Sequence, residues 1–438
     1  MLKRKVSRSL EDWVLHKKNK CLIVQGARQT GKTFAIERFA KEKYEEYIEI
    51  NFMQMPSAAE VFSGDLTVEN MVMALRFRFP DKKIIPGKTL IFLDEIQECE
   101  EAITSLKFWA TDDGFDVIAS GSLLGIDYKR ASSYPVGYVD YIKMYSLDFE
   151  EFLWGMGLSE DVIGSLRKYL KDKKEIPKSI HMQLMRYFRT YIATGGMPEA
   201  VQKYLDTRDF KEVDAVQRSL LLGYQYDIAH YAVAEEKVKA EKCYLTLARQ
   251  LLDKENHKFQ YKEIEHGARG QKYYTSIDWL LRADLIHLCK LVTDVKYDLD
   301  DYARDDFFRA YTTDLSLLIA MKDFSLKQNI VENTLAGNTK GGLYECAIAD
   351  ALYKKGYRLY FYKNETTKRE LDFIIQVGGK PVPIEVKSSN TKANSLSAIM
   401  KKESGISYAY KFVDGNIGVS DEGIITLPLY MAAFLDEV

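Results

Sequence analysis

The stretch CLIVQGARQTGKT, Cys21 to Thr33, holds residues whose types and spacing suit phosphate chemistry. Gly26 and Gly31 bracket Ala27, Arg28, Gln29 and Thr30 and are followed by Lys32 and Thr33, which is the G-x-x-x-x-G-K-[ST] phosphate-binding pattern. Glycine lets the backbone wrap closely enough to aim successive N–H groups at phosphate oxygens, and a helix starting here adds the positive end of its dipole. Lys32 would bridge the β- and γ-phosphates, and Thr33 would offer its hydroxyl to Mg²⁺. The other reading is a glycine turn before an amphipathic helix.

A second set of candidates closes the run TLIFLDE, Thr89 to Glu95. Asp94 would hold Mg²⁺ through water and Glu95 would polarise the attacking water. Otherwise the two acids merely cap a strand. A further apolar run, Phe115 to Ala119, ends in Ser120-Gly121-Ser122. Ser120 and Ser122 are candidates for contact with the γ-phosphate or the attacking water, because ligands of parallel sheets sit at the carboxyl ends of strands. A plain strand-to-loop turn is the alternative.

A third set lies in the last quarter of the chain. Asp372 opens one expected strand, Glu385 and Lys387 share a face of another, and Glu345 sits on the helix before them. Two carboxylates and a lysine converging on one point would bind Mg²⁺ and activate a water for in-line attack on a phosphodiester. Glu345 could complete the shell. The D-x(n)-E-x-K pattern is short, and a fold that carries it does not guarantee the chemistry.

These residues need a scaffold, and the patterning supplies one. Leu22–Val24, Tyr47–Phe52, Thr89–Glu95 and Phe115–Ala119 read as strands, with helices over Phe34–Tyr44, Val68–Phe79 and Asp148–Trp154. A strand apolar on both faces, as Thr89–Glu95 is, requires a parallel sheet covered by helices on both sides. Residues 1–155 are therefore expected to form an α/β doubly wound domain. Residues 156–234 read as helical, broken by the turn Gly195-Gly196-Met197-Pro198. Residues 235–330 give helix, short element, helix and hairpin, the order of a winged helix. Its helix Thr275–Ala283 would either read a major groove or make a structural or protein contact, with Lys258, Lys262, Arg269, Lys272 and Arg282 nearby and Asp278 and Asp284 diluting them. Residues 331–438 are expected to form a small α/β domain.

The bulk numbers agree. A length of 438 residues exceeds one ordinary core. Hydrophobic residues at 46% and charged residues at 29% fit a folded chain without a long disordered part. The 62 basic and 64 acidic side chains nearly cancel, so total charge implies no nucleic-acid partner and any basic face must be local. Five scattered cysteines without a C-x-x-C pair suggest buried thiols in a reducing cytosol rather than disulfides or zinc. No long apolar run is present, so a cytoplasmic location with no membrane span is expected.

The segments GARQTGKT, LIFLDEIQ, ASGS, SYPVGYVDYIKMYSLDFEEFL, GGMPEAV and RELDFII…PIEVK, in this order, resemble the prokaryotic AAA-type ATPases that carry a C-terminal domain of unknown function. The resemblance covers nearly the whole chain. It implies a P-loop ATPase core using ATP and Mg²⁺, a winged-helix middle and a tail similar to the PD-(D/E)xK nuclease superfamily. Lys32, Thr33, Asp94 and Glu95 match its nucleotide site; Glu345, Asp372, Glu385 and Lys387 match its nuclease-like pattern. In one departure, many members have a basic residue where this chain has Tyr138, and Arg130 is the candidate substitute.

Two functions of different class follow. One is an ATP-hydrolysing machine coupled to the winged-helix and nuclease-like regions. The other is a nucleotide-gated binding protein with negligible hydrolysis and an inactive tail. Nuclease action by the tail is a third, narrower expectation. ATP and ADP, DNA, a protein partner and self-association are the candidate partners.

Overall fold

The computed structural model describes residues 2–112, 114–122, 135–232, 236–253, 258–364, 366, 369–389, 393–403 and 405–436. The candidate Arg130 lies outside them. The chain divides into two compact units, residues 4–146 with 282–284, and residues 147–281 and 285–438 with the extreme N-terminus.

The first unit is built on β1 (Cys21–Gln25), β2 (Glu46–Asn51), β3 (Thr89–Asp94), β4 (Asp116–Gly121) and β5 (Val139–Lys143). Among the described residues these form a five-stranded sheet in the order β2-β3-β4-β1-β5. Every pairing is parallel. Alternate side chains enter opposite faces. Ile23, Ile91, Leu93, Val117 and Ala119 pack with Leu106 and Trp109 of the helix Glu100–Asp112. Leu22, Val24, Leu90, Phe92 and Ile118 meet Ile36 and Phe39 of the helix Lys32–Lys43 and Leu10 and Trp13 of the helix Val6–His16. Burial on both faces is why β3 is apolar throughout.

The second unit begins with the helices Phe149–Gly155, Glu160–Asp172, Lys178–Thr194, Pro198–Thr207 and Phe210–Tyr231. Asp148 and Glu151 make a reciprocal capping box at the first of them. After the helices Lys237–Leu245, Leu247–Leu252 and Gly270–Arg282 come β6 (Ile286–Val292) and β7 (Ala303–Thr312). The helix Gly337–Lys354 then precedes β8 (Leu359–Asn364), β9 (Arg369–Val377) and β10 (Lys380–Lys387). The helix Asn394–Lys402, β11 (Ala409–Val413), β12 (Gly418–Val419) and β13 (Ile424–Pro428) follow.

Strands β6 to β13 share one sheet, ordered β12-β13-β11-β10-β9-β8-β6-β7. The hairpin β6–β7 is antiparallel, and β6 lies parallel on β8. Strands on either side of residue 330 therefore complete one another's hydrogen bonding.

The Gly195-Gly196 turn is fixed by close approach. A side chain on Gly196 would put its Cβ 2.1 Å from the Leu147 carbonyl oxygen, and one on Gly195 would meet the Ser316 nitrogen at 2.3 Å. The Gly196 N–H donates to Asp314, which also caps the helix Leu315–Ala320 through the Ser316 N–H. Lys354 Nζ, buried beside this turn, donates to Asp314 (3.1 Å), Tyr191 OH (3.0 Å) and the Leu147 carbonyl (3.1 Å) and forms an ion pair with Asp350 at 2.9 Å. Lys354 is the cation shared by two buried carboxylates, so its removal would take this counter-charge from both.

All five cysteines are buried free thiols. Among the described residues no helix is long and apolar enough to cross a membrane.

Candidate functional site

The site is at the carboxyl ends of β1, β3 and β4, where loops leave the sheet. Gly26 follows β1, and a Cβ there would lie 2.0 Å from the Met144 carbonyl oxygen, so only glycine lets the loop leave the strand at this point. Gly31, with φ 90°, turns the chain into the helix Lys32–Lys43. Thr30 Oγ1 donates to the Ala27 carbonyl at 2.9 Å and holds the loop closed upon itself.

Lys32 is buried, and its Nζ donates to the carbonyls of Gly26 and Ala27, each at 2.9 Å. Burial lowers its pKa to about 8, against the pull of Glu95 and Asp94 in the other direction. Thr33 Oγ1 donates to Asp94 Oδ2 at 3.0 Å. The phosphate-loop hydroxyl and the acidic end of β3, far apart in sequence, are thus in contact. Asp94 is 2% exposed and also accepts from Asn51 Nδ2 (2.9 Å) and the Ser120 hydroxyl.

Glu95 has left-handed backbone, φ 51°, which bends the chain sharply off β3. Its Oε2 accepts from Gln97 Nε2 at 2.6 Å and from Ser122 Oγ at 3.5 Å, and Arg28 Nε donates to Ser122 Oγ at 3.3 Å. Of the two serines, Ser120 faces Asp94 and Ser122 faces Glu95 and Arg28. Asn51 and Gln97 belong to no motif in the sequence. Their signal was position: Asn51 is the polar carboxyl end of an alternating strand, and Gln97 stands two residues beyond the acidic pair.

Tyr138 precedes β5, and its carbonyl accepts from the Cys21 N–H at the amino end of β1. Its ring packs partly buried under Lys107. The residue thus sits at the opposite end of the sheet from the phosphate loop.

In the second unit Glu345 Oε1 accepts from Arg309 Nη1 (2.8 Å) and from the Tyr311 hydroxyl (2.5 Å). Asp372 Oδ2 accepts from the Val386 N–H at 2.7 Å, and burial, with Glu345 adding to it, pushes its carboxyl up to about 7. Lys387 Nζ pairs with Glu385 Oε1 at 2.6 Å. Among the described residues no group of three or more His, Cys, Asp or Glu is arranged to hold a metal ion.

A parallel α/β sheet with a glycine loop after β1 and paired acids at the end of β3 defines a P-loop nucleotide-binding domain. The family model for the AAA domain matches residues 18–153, the extent of that sheet. Two further models, both domains of unknown function, match residues 185–328 and 340–431. No curated protein matches the chain. Solved structures similar to it include AMPPCP-bound DnaA from Aquifex aeolicus, at 13% identity and TM-score 0.29, covering 63% of this chain and 86% of that one. The Aeropyrum pernix ORC1 protein in complex with DNA is similar at 11% identity and TM-score 0.27, covering 75% and 91%. C. elegans PCH-2 is similar at 14% identity and TM-score 0.28 over 49% of this chain, which spans 65% of the PCH-2 chain.

Proposed function

We propose that the chain binds ATP with Mg²⁺ at Gly26–Thr33 and Asp94 and hydrolyses it with Glu95 as the group that polarises water. The observation that carries this reading is the 3.0 Å contact between Thr33 Oγ1 and Asp94 Oδ2 beside the glycine loop. A hydroxyl and a carboxylate so placed fit Mg²⁺, which would neutralise phosphate charge when bound.

The protein's own groups do the rest. Loop N–H groups cradle the phosphates. Lys32 exchanges its two carbonyl partners for β- and γ-phosphate oxygens, recovering an ionic environment for a charge that burial disfavours. Glu95, steadied by Gln97 and Ser122, accepts the proton of the attacking water. Arg28, already beside Ser122, adds a positive charge at the same edge of the loop.

We further propose that nucleotide turnover is coupled to the rest of the chain as a winged-helix and nuclease-like region. The three helices Lys237–Leu245, Leu247–Leu252 and Gly270–Arg282 followed by the β6–β7 hairpin support the winged-helix part. The helix–strand–strand–strand–helix–strand order from Gly337 to Val413 supports the other. DNA and a protein are the competing partners of the helix Gly270–Arg282, where Lys272 is paired with Glu265 and Tyr274 is exposed.

Phosphate release by the wild type, Lys32→Ala and Glu95→Gln, with and without a panel of nucleic acids, tests the reading. Glu95→Gln should bind ATP and lose about 10²-fold or more in turnover; turnover equal to wild type would refute the assignment. A second reading, a nucleotide-gated binder with negligible hydrolysis, draws on the tie between Glu95 and Gln97. A wild-type rate no higher than the background without protein, with binding intact, would select it.

A further inference from the structure

The acids of the tail invite a divalent cation by sequence, and their surroundings argue against one. Glu345 is spent on Arg309 and Tyr311. The Arg309 side chain is 3% exposed, and its guanidinium also donates to the Asp372 carbonyl oxygen (3.2 Å) and to Glu370. The face of that guanidinium lies over the Phe361 ring, 4.5 Å from its centroid, an arrangement that favours a held cation. Glu385 has Lys387 on one oxygen, and its Oε2 is buried without a partner. One orphaned oxygen and Asp372 fall short of a metal shell, and a divalent ion approaching Glu345 would meet a guanidinium already bound to the same oxygen.

We infer that Arg309, reaching from strand β7, takes the place of a metal ion beside Glu345, Glu370 and the Asp372 carbonyl, so that this part of the tail is held together by a side-chain cation and has no divalent-cation site. Arginine suits the role because its planar fork can serve several oxygens at once and stays charged when buried. The strand that delivers it lies in the region matched by one family model, 185–328, while the acids lie in that matched by the next, 340–431. The cation and its acids therefore come from segments that two different models match. The inference stands apart from the nucleotide reading: a phosphate loop that bound nothing would leave it untouched.

Mn²⁺ titrated into the nucleotide-free full chain, followed by calorimetry, tests it. The isotherms of the wild type, Glu345→Gln and Glu385→Gln should superimpose, since any uptake at Thr33 and Asp94 is common to all three. An equivalent of Mn²⁺ taken up by the wild type and missing from either variant overturns the inference. Arg309→Gln, which removes the charge and keeps hydrogen bonding, should gain a Mn²⁺ site at least tenfold tighter than any wild-type uptake, lost again in Arg309→Gln with Glu345→Gln. A folded Arg309→Gln that gains none also overturns it. Should Arg309→Gln fail to fold, the comparison of wild type with the two acid variants decides alone.

Discussion

Lys32 is held by two backbone carbonyls in a place where burial lowers its pKa to about 8. A bound triphosphate favours the ammonium form and raises that pKa. The sign follows: below pH about 8 the side chain is charged whether or not nucleotide is bound, and affinity is flat. Above it the free site must take up a proton to bind, and affinity falls toward tenfold per pH unit. Calorimetry in buffers of differing ionisation enthalpy should detect proton uptake near pH 9 and none near pH 6.5. Asn51 makes a second residue-scale prediction. Its amide steadies Asp94 at 2.9 Å, so Asn51→Ala should weaken nucleotide binding only in the presence of Mg²⁺, by roughly 10- to 100-fold, the worth of one hydrogen bond to a charged group. Lys32, Thr33, Asp94 and Glu95 were legible in the chain because glycine spacing and an acid pair after an apolar run have few other uses. Asn51, Gln97 and the Arg309 pairing were not, because each depends on which strand ends meet.

At the scale of elements, the insertion of β4 between β1 and β3 brings the phosphate loop, Ser120 and Asp94 to one edge. Strand types were readable, since a run buried on both faces has no polar alternation and cannot be a surface helix. The order β2-β3-β4-β1-β5 was not, because it is set by packing of helices on two faces and leaves no local trace. The Gly195-Gly196 turn was readable as a turn but not as the cradle of Leu147, Asp314 and Lys354. Gly196→Ala should cost about 3 kcal/mol or more in denaturant unfolding, since its Cβ would strike the Leu147 carbonyl and lie 2.8 Å from Lys354 Nζ. Lys354→Met should cost about 3–5 kcal/mol by leaving Asp314 and Asp350 buried without their cation.

At the scale of the whole molecule, the sheet that joins β6 and β7 to β8–β13 makes residues 285–438 interdependent. A fragment of residues 331–438 would expose the β8 edge, lose Arg309 and leave Glu345 buried without its partner, so it should aggregate or remain unfolded by circular dichroism. A fragment of residues 147–438 keeps both strands and should fold. The boundary at residue 330 looked natural in the sequence because hairpin and tail are separated by helices, and strand pairing across such a gap is invisible to local patterning. ATP hydrolysis by this chain requires a triphosphate and its Mg²⁺ to dock between residues 26–33 and Asp94-Glu95. Titration of a non-hydrolysable ATP analogue with Mg²⁺ into the wild type and Lys32→Ala measures this most directly. The wild type should bind saturably and Lys32→Ala should lose roughly 10- to 100-fold in affinity, the worth of charged hydrogen bonds to phosphate; equal affinity in the two proteins, or none in the wild type, would rule the phosphate site out.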